Sequence, residues 1–187
     1  MIANSLERVL VPEPARPLVT ARLALRALTI DDAAWISRGS SNPAVSRMTG
    51  RIPYPNPVIG AELYVLTCRA AGMNRGDRVR AITLKGSGEG IGMIGLHPRP
   101  DGAWEFGYWL AEGFWGCGYA TEAGRALLDE AVRDGITDIV AGHYADNPAS
   151  GRVLEKLGFA YTGAVVDAFS AGRMAAAPCP RMVRKAG

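Results

Sequence analysis

The sequence predicts an α/β domain, one mixed sheet flanked by helices. Short apolar segments in hairpin order lie between residues 79 and 110, and helical spacing alternates with strand-like runs from residue 119 onward. No repeat or linker interrupts the 187 residues, a length that buries a core without metal or disulfide support.

Each element has its own signal. Residues 1–17 hold Pro12, Pro14 and Pro17 and are expected to form a loosely held arm, leaving 18–187 as the domain. From Arg22, RLALRAL alternates apolar and polar, the pattern of a half-buried strand. Thr29 can cap the helix of TIDDAAWISR, with acidic residues in its first turn. SNPAVSRMTGRIPYPNP is proline-rich and predicts an irregular surface loop. Helical spacing resumes over 58–71 through Ile59, Leu63, Leu66 and Ala70. Strands at 79–84 and 91–97 flank the turn KGSGEG, and RPDG leads into the strand AWEFGYWL. A helix from Tyr119 to Asp134, a strand at 138–143, a short helix at 148–157 and two final strands complete the chain.

Composition excludes several functions. Twenty-one basic against 18 acidic residues give a charge of +3, too small and scattered for a nucleic-acid partner. The densest basic stretch, Arg173, Arg181, Arg184 and Lys185, reads as a solvated strand edge. Cys68, Cys117 and Cys179 are far apart, and with His97 and His143 they form neither a disulfide framework nor a metal site. MIANSLERVLVPEP lacks the basic segment of a secretory signal, and no apolar run is long enough to cross a membrane. The expectation is a cytoplasmic protein, monomer or homodimer, with no membrane partner.

FWGCGYATEAG, residues 114–124, raises the chemical question. The first N–H groups of a helix lack acceptors and carry partial positive charge, and Gly116 and Gly118 remove two Cβ atoms just ahead of them. Ala120, Ala123, Leu127, Leu128 and Ala131 then mark a sheet-packing face, and Gly135 stands where a C-terminal cap belongs. The stretch is neither a P-loop nor a dinucleotide fingerprint. On local features a phosphate cradle and an ordinary turn both remain open. A second stretch, DNPASGRVLEKLGF (146–159), offers Asn147 as N-cap, Pro148 at the first helical position and Gly158 as the stop.

Together, EFGYWLAEGFWGCGYATEA and DNPASGRVLEKLGF resemble the GNAT-type N-acetyltransferases, and within them the ribosomal-protein (RimJ/RimL-like) branch, with support from TARLALRALTIDDA and GMIGL. The resemblance implies acetyl-CoA as cosubstrate, no metal, and a sheet splayed where strands 104–110 and 138–143 part. It places the pantetheine arm along Trp109, Leu110 and Ala111, and the pyrophosphate on backbone N–H groups from Gly116 through Cys117, Gly118, Tyr119 and Ala120 to Thr121. Asn147 is then directed at the cofactor, with Val153, Leu154 and Lys156 near its far arm. Two positions depart from the wider family: Trp115 opens the loop and Cys117 replaces a polar or basic residue, leaving backbone donors to hold the phosphates. A third departure is Leu154, which stands where many members carry a thiolate-protonating tyrosine; Ser150, one turn earlier, is the branch's alternative.

The implied reaction is direct attack of an amine on the thioester. At pH 7 an α-amine is neutral about one time in ten, costing about 1.4 kcal/mol, whereas a lysine amine costs about 4.6 kcal/mol. A modest base therefore serves an α-amine better. Glu105 is the candidate base and Ser150 the candidate acid. Glu122 is better placed to favour the helix N-terminus, and His143 can line the acceptor channel or be an ordinary sheet histidine. The acceptor, a protein N-terminus or a small amine, is expected between RMTGRIPYP and GAVVDAFSAGR, with Trp35, Tyr54, Trp104 and Phe169 as candidate lining. The alternative is a CoA-binding module of the same fold without turnover; a nucleotide-binding regulatory domain ranks behind both.

Overall fold

A computed structural model describes residues 16–185, so most of the expected N-terminal arm lies outside the described residues. The strands are β1 (Leu18–Val19), β2 (Leu23–Arg26), β3 (Arg78–Leu84), β4 (Gly90–Pro98), β5 (Trp104–Leu110), β6 (Asp138–Gly142), β7 (Ala160–Ser170) and β8 (Ala175–Lys185). The helices are α1 (Ala33–Ser40), α2 (Pro43–Ser46), α3 (Val58–Arg75), α4 (Tyr119–Arg133) and α5 (Pro148–Lys156). All eight strands join one sheet in the order β1-β2-β3-β4-β5-β6-β8-β7.

Helices cover both faces of the sheet, which is why GIGMIGL in β4 is apolar almost throughout rather than alternating. One core packs Leu23, Leu25, Ile82, Leu96 and Phe106 against α4 and α5. The face expected of α4, from Ala120 to Ala131, is buried there. The second core packs Ala81, Met93 and Trp109 against Ile36, Val45 and Val65 of α1, α2 and α3.

Only β5 and β6 run parallel, and they pair at Trp104↔Ile139 and Glu105↔Val140 alone. Beyond Glu105, β5 stays with β4 while β6 turns to β8, pairing with it antiparallel from Asp138 to Gly142. The sheet therefore opens at its centre, at the expected strands.

The structure qualifies three expectations. The proline-rich stretch is irregular and largely exposed from residue 47 to 57, but it begins with the short helix α2 and is anchored by buried residues. Asn42 caps α2 by accepting from the Ala44 N–H at 2.9 Å, and Ile52 and Asn56 are buried. The Asn56 carbonyl accepts from both Ser37 and Ser41 hydroxyls, so side-chain hydroxyls replace a regular ladder. The basic stretch is not an edge: β8 lies between β6 and β7, and the Arg181 and Arg184 side chains are both hydrogen-bonded within the protein. Finally, α3 buries Ala61, Val65 and Cys68, while Ile59, Leu63 and Leu66, whose spacing marks it in the sequence, face solvent.

Candidate active site

The opening between β5 and β6 is a cleft of about 320 Å³ that reaches both faces of the sheet. Alternation along β5 assigns its side chains to those faces. Glu105, Gly107 and Trp109 lie on the side of α1 and α3, opposite His97, Gly95 and Met93 of β4. Phe106, Tyr108 and Leu110 lie on the side of α4 and α5.

On the α5 side, Asn147 caps the helix through its side-chain oxygen and accepts from the Ser150 N–H at 3.2 Å. Ser150 Oγ faces the Tyr108 hydroxyl at 3.1 Å. Burial raises the Tyr108 phenol pKa, and the hydrogen bond to Ser150 offsets part of that rise. Leu154 is almost wholly buried and lines the cleft below them, whereas Lys156 borders a depression beside α4.

On the opposite face, Glu105 is half-exposed and held by Arg181 at 2.9 Å and Arg99 at 3.3 Å, which commits its oxygens to two guanidiniums. Directly across the strand pair stands His97, with Nδ1 at 2.6 Å from Oδ2 of buried Asp77. A protonated Nδ1 facing that carboxylate leaves Nε2 to accept. This Nε2 lies over Gly95: a Cβ there would sit 3.2 Å from it. A Cβ at Gly107, paired with Gly95, would meet nothing within 4 Å. Gly107 thus leaves a bare floor beside the imidazole, which itself covers Gly95 together with Val79 and the Arg78 carbonyl.

The glycine-rich loop has the expected form. Gly116 and Gly118 adopt φ of 74° and 78°, left-handed values that favour glycine. The first bond into α4 runs from the Glu122 N–H to the Gly118 carbonyl, so the N–H groups of Tyr119, Ala120 and Thr121 have no acceptor within the helix. Leu110 is less available than expected, because the Trp115 indole N–H donates to its carbonyl at 2.8 Å. The exposed Cys117 thiol faces the Trp115 carbonyl, and among the described residues it has no other hydrogen-bond partner.

A guanidinium stands beside the loop. Arg22, just ahead of β2, donates to the Cys117 carbonyl at 3.0 Å, and a Cβ on Gly118 would be 3.5 Å from its guanidinium. Glu122 holds Arg22 in place. Burial tends to raise the Glu122 carboxyl pKa, but hydrogen bonds from Thr20 and Arg22 keep it below the ordinary carboxylate value. Arg22, Thr121, Arg125 and Lys156 border one depression along α4, with Glu122 and Asp129 among them. Arg22, Tyr108 and the His97–Asp77 pair are the side chains that the structure adds to the site. Only Tyr108, inside EFGYWL, carried a local sequence signal.

The other candidates are held by internal contacts. His143 is buried, its Nδ1 at 2.9 Å from the Tyr144 carbonyl and its Nε2 at 2.9 Å from the Tyr161 hydroxyl, and it also lines the cleft. Trp35 packs on Trp109 and donates to Asp32, and Trp104 packs against the main core. Of the expected aromatics Phe169 alone lines the cleft, together with Met48 to Ile52 from the irregular segment. Among the described residues no helix is long and apolar enough to cross a membrane, and no His/Cys/Asp/Glu group is arranged to hold a metal.

Comparison with known proteins agrees with this geometry. The acetyltransferase (GNAT) domain family matches residues 22–160. An N-acetyltransferase of Bacillus licheniformis called p20, itself uncharacterised, is 27% identical over 153 residues, 80% of this chain and 85% of that one. An acetyltransferase from Agrobacterium tumefaciens str. C58 superposes with a TM-score of 0.69 at 26% identity, over 91% of this chain and 96% of that one. RimL, a ribosomal L7/L12 alpha-N-protein acetyltransferase solved with coenzyme A, superposes with a TM-score of 0.77 at 21% identity, over 91% and 98% of the two chains. A family match that runs from Arg22, just ahead of β2, through both glycine-marked helices leaves one assignment: the chain belongs to the GNAT acetyltransferase domain family.

Proposed function

We propose that this chain is an acetyl-CoA-dependent N-acetyltransferase of the RimJ/RimL-like kind, passing acetyl directly to a primary amine. The observation that carries the reading is the opening between β5 and β6, which reaches both faces of the sheet next to the unpaired N–H groups that start α4. When bound, the coenzyme supplies an activated acetyl thioester. Arg22, Lys156 and the N–H groups from Gly116 to Thr121 would hold its phosphates, and β5 would guide its pantetheine arm.

The chain's own groups divide the proton work between the two faces. Ser150, backed by Tyr108, is placed to give a proton to the departing thiolate from the α5 side. The amine enters over the Gly107 floor from the other side and loses its proton there. His97, oriented by Asp77, has a free Nε2 for that proton. Glu105, already bound by two arginines, is better suited to orient the incoming N–H groups than to take a proton. The similarity to RimL, an alpha-N-protein acetyltransferase, supports an α-amine acceptor, as does the smaller cost of deprotonating one.

The test is thiol release from acetyl-CoA with a panel of N-terminal peptides and small amines. Release with α-amines, and much less with lysine side chains, is expected. Tight CoA binding without release across the panel would leave a non-catalytic CoA-binding module.

A further inference from the structure

The solvent side of α3 carries a feature that the acetyl-transfer site does not use. Ile59, Leu63, Leu66 and Met73 are 63, 60, 52 and 56% exposed, although each is a large apolar side chain. With Ala70 they recur at alternating intervals of four and three residues, the seam of a helix that pairs with another helix. The seam lies nearly opposite the face that buries Ala61, Val65 and Cys68, and none of the described residues covers it. The helix has 18 residues, and the seam from Ile59 to Met73 runs about 21 Å along it.

The flanking residues select a partner. Half-buried Glu62 and exposed Arg69 border the seam on one side, and Gly60, Thr67 and Asn74, all uncharged, border it on the other. Two copies of α3 can be set antiparallel with Leu63 against Leu66 of the second copy. Ile59 then falls against Ala70. The same register places Glu62 against Arg69 of the second copy, and the two-fold axis repeats the pair. A parallel pairing sets Glu62 against Thr67 and Arg69 against Asn74, with no charge matched. We propose that this face is a homodimer interface in which α3 pairs antiparallel with α3 of a second copy, its register fixed by two Glu62–Arg69 contacts. The seam is small, so the dimer should dissociate in the range of about 1–100 μM.

Sedimentation velocity of the full chain across that range tests the proposal, with coenzyme binding and circular dichroism as checks that each variant folds. The wild type should shift from monomer to dimer with concentration, and L63D/L66D should stay monomeric with unchanged coenzyme binding. Glu62→Arg, which sets like charges together, should weaken dimerisation by about 5–10-fold. Adding Arg69→Glu should restore it to within about 2–3-fold. A wild type that remains monomeric to several hundred micromolar would overturn the proposal. So would a dimer indifferent to L63D/L66D, a charge swap that fails to restore pairing, or a dimer that appears only after residues 1–15 are removed.

Discussion

Arg22 donates its Nε–H to Glu122 at 2.7 Å and one Nη1–H to the Cys117 carbonyl at 3.0 Å, tying the turn ahead of β2 to the glycine-rich loop and the first turn of α4. These contacts span 100 and 95 residues of sequence. They place a cation where the loop itself has none, beside N–H groups that already favour an anion.

Arg22→Ala should therefore raise KM for acetyl-CoA by about 5–10-fold and leave kcat within about twofold, since the guanidinium is half-exposed and water screens part of its effect. Arg22→Lys should recover little, because one ammonium cannot reproduce the forked contacts. Initial-rate kinetics with varied acetyl-CoA decide this; a change confined to kcat would remove Arg22 from coenzyme binding.

The acid side makes a different split. Ser150→Ala should lower kcat by about 10²-fold while coenzyme affinity, measured by calorimetry, stays within about twofold. Tyr108→Phe should give a smaller loss of about 10-fold, because it removes the partner of Ser150 rather than Ser150 itself. Equal affinity losses in both variants would mean that they only shape the pocket.

Across the sheet, His97→Gln and Asp77→Asn should each lower kcat more than Glu105→Gln does, the first by at least about 10-fold. Glu105→Gln should act mainly on KM for the amine. The reverse ranking would return the base role to Glu105.

Gly107→Val should fill the bare floor without touching the phosphate loop, since a Cβ there meets nothing within 4 Å. Acceptor KM should rise by at least about 10-fold at unchanged coenzyme affinity. Unaltered acceptor kinetics would place the amine elsewhere.

How far the sequence reveals this protein depends on how local each signal is. The α4 face from Ala120 to Ala131 and the Asn147 cap were legible because residues within a single helix specify each. The parting of β5 and β6 was legible only through resemblance, since no single strand encodes its partner's departure. Arg22, His97 and Asp77 were illegible as site residues: each sits in an ordinary strand or turn and gains its role from residues far along the chain. The stripe of α3 illustrates a second difficulty. That helix has two apolar faces, and the larger residues lie on the outer one, so spacing alone does not identify the buried side.

Acid sensitivity should trace to Asp32, which is buried and accepts from Arg26 through both oxygens, at 2.6 and 2.8 Å. Burial alone would raise its pKa, but hydrogen bonds from Arg26, the Thr29 N–H and the Trp35 indole outweigh this and lower it. A depressed folded value means the contribution is present above the ordinary carboxylate value, about 4, and is lost as pH falls through the folded value. Asp32→Asn should cost about 3 kcal/mol at pH 7, and its gap from wild type should narrow below about pH 4. Urea titrations at a series of pH values check this; a gap independent of pH would contradict it.

The central claim concerns where the coenzyme sits, and a crystal structure with acetyl-CoA tests it most directly. The diphosphate should rest on the N–H groups from Gly116 to Thr121 beside Arg22, with the thioester in the opening between β5 and β6, Ser150 on one side and the Gly107 floor on the other. Coenzyme found away from that opening, or phosphates held without the start of α4, would contradict it.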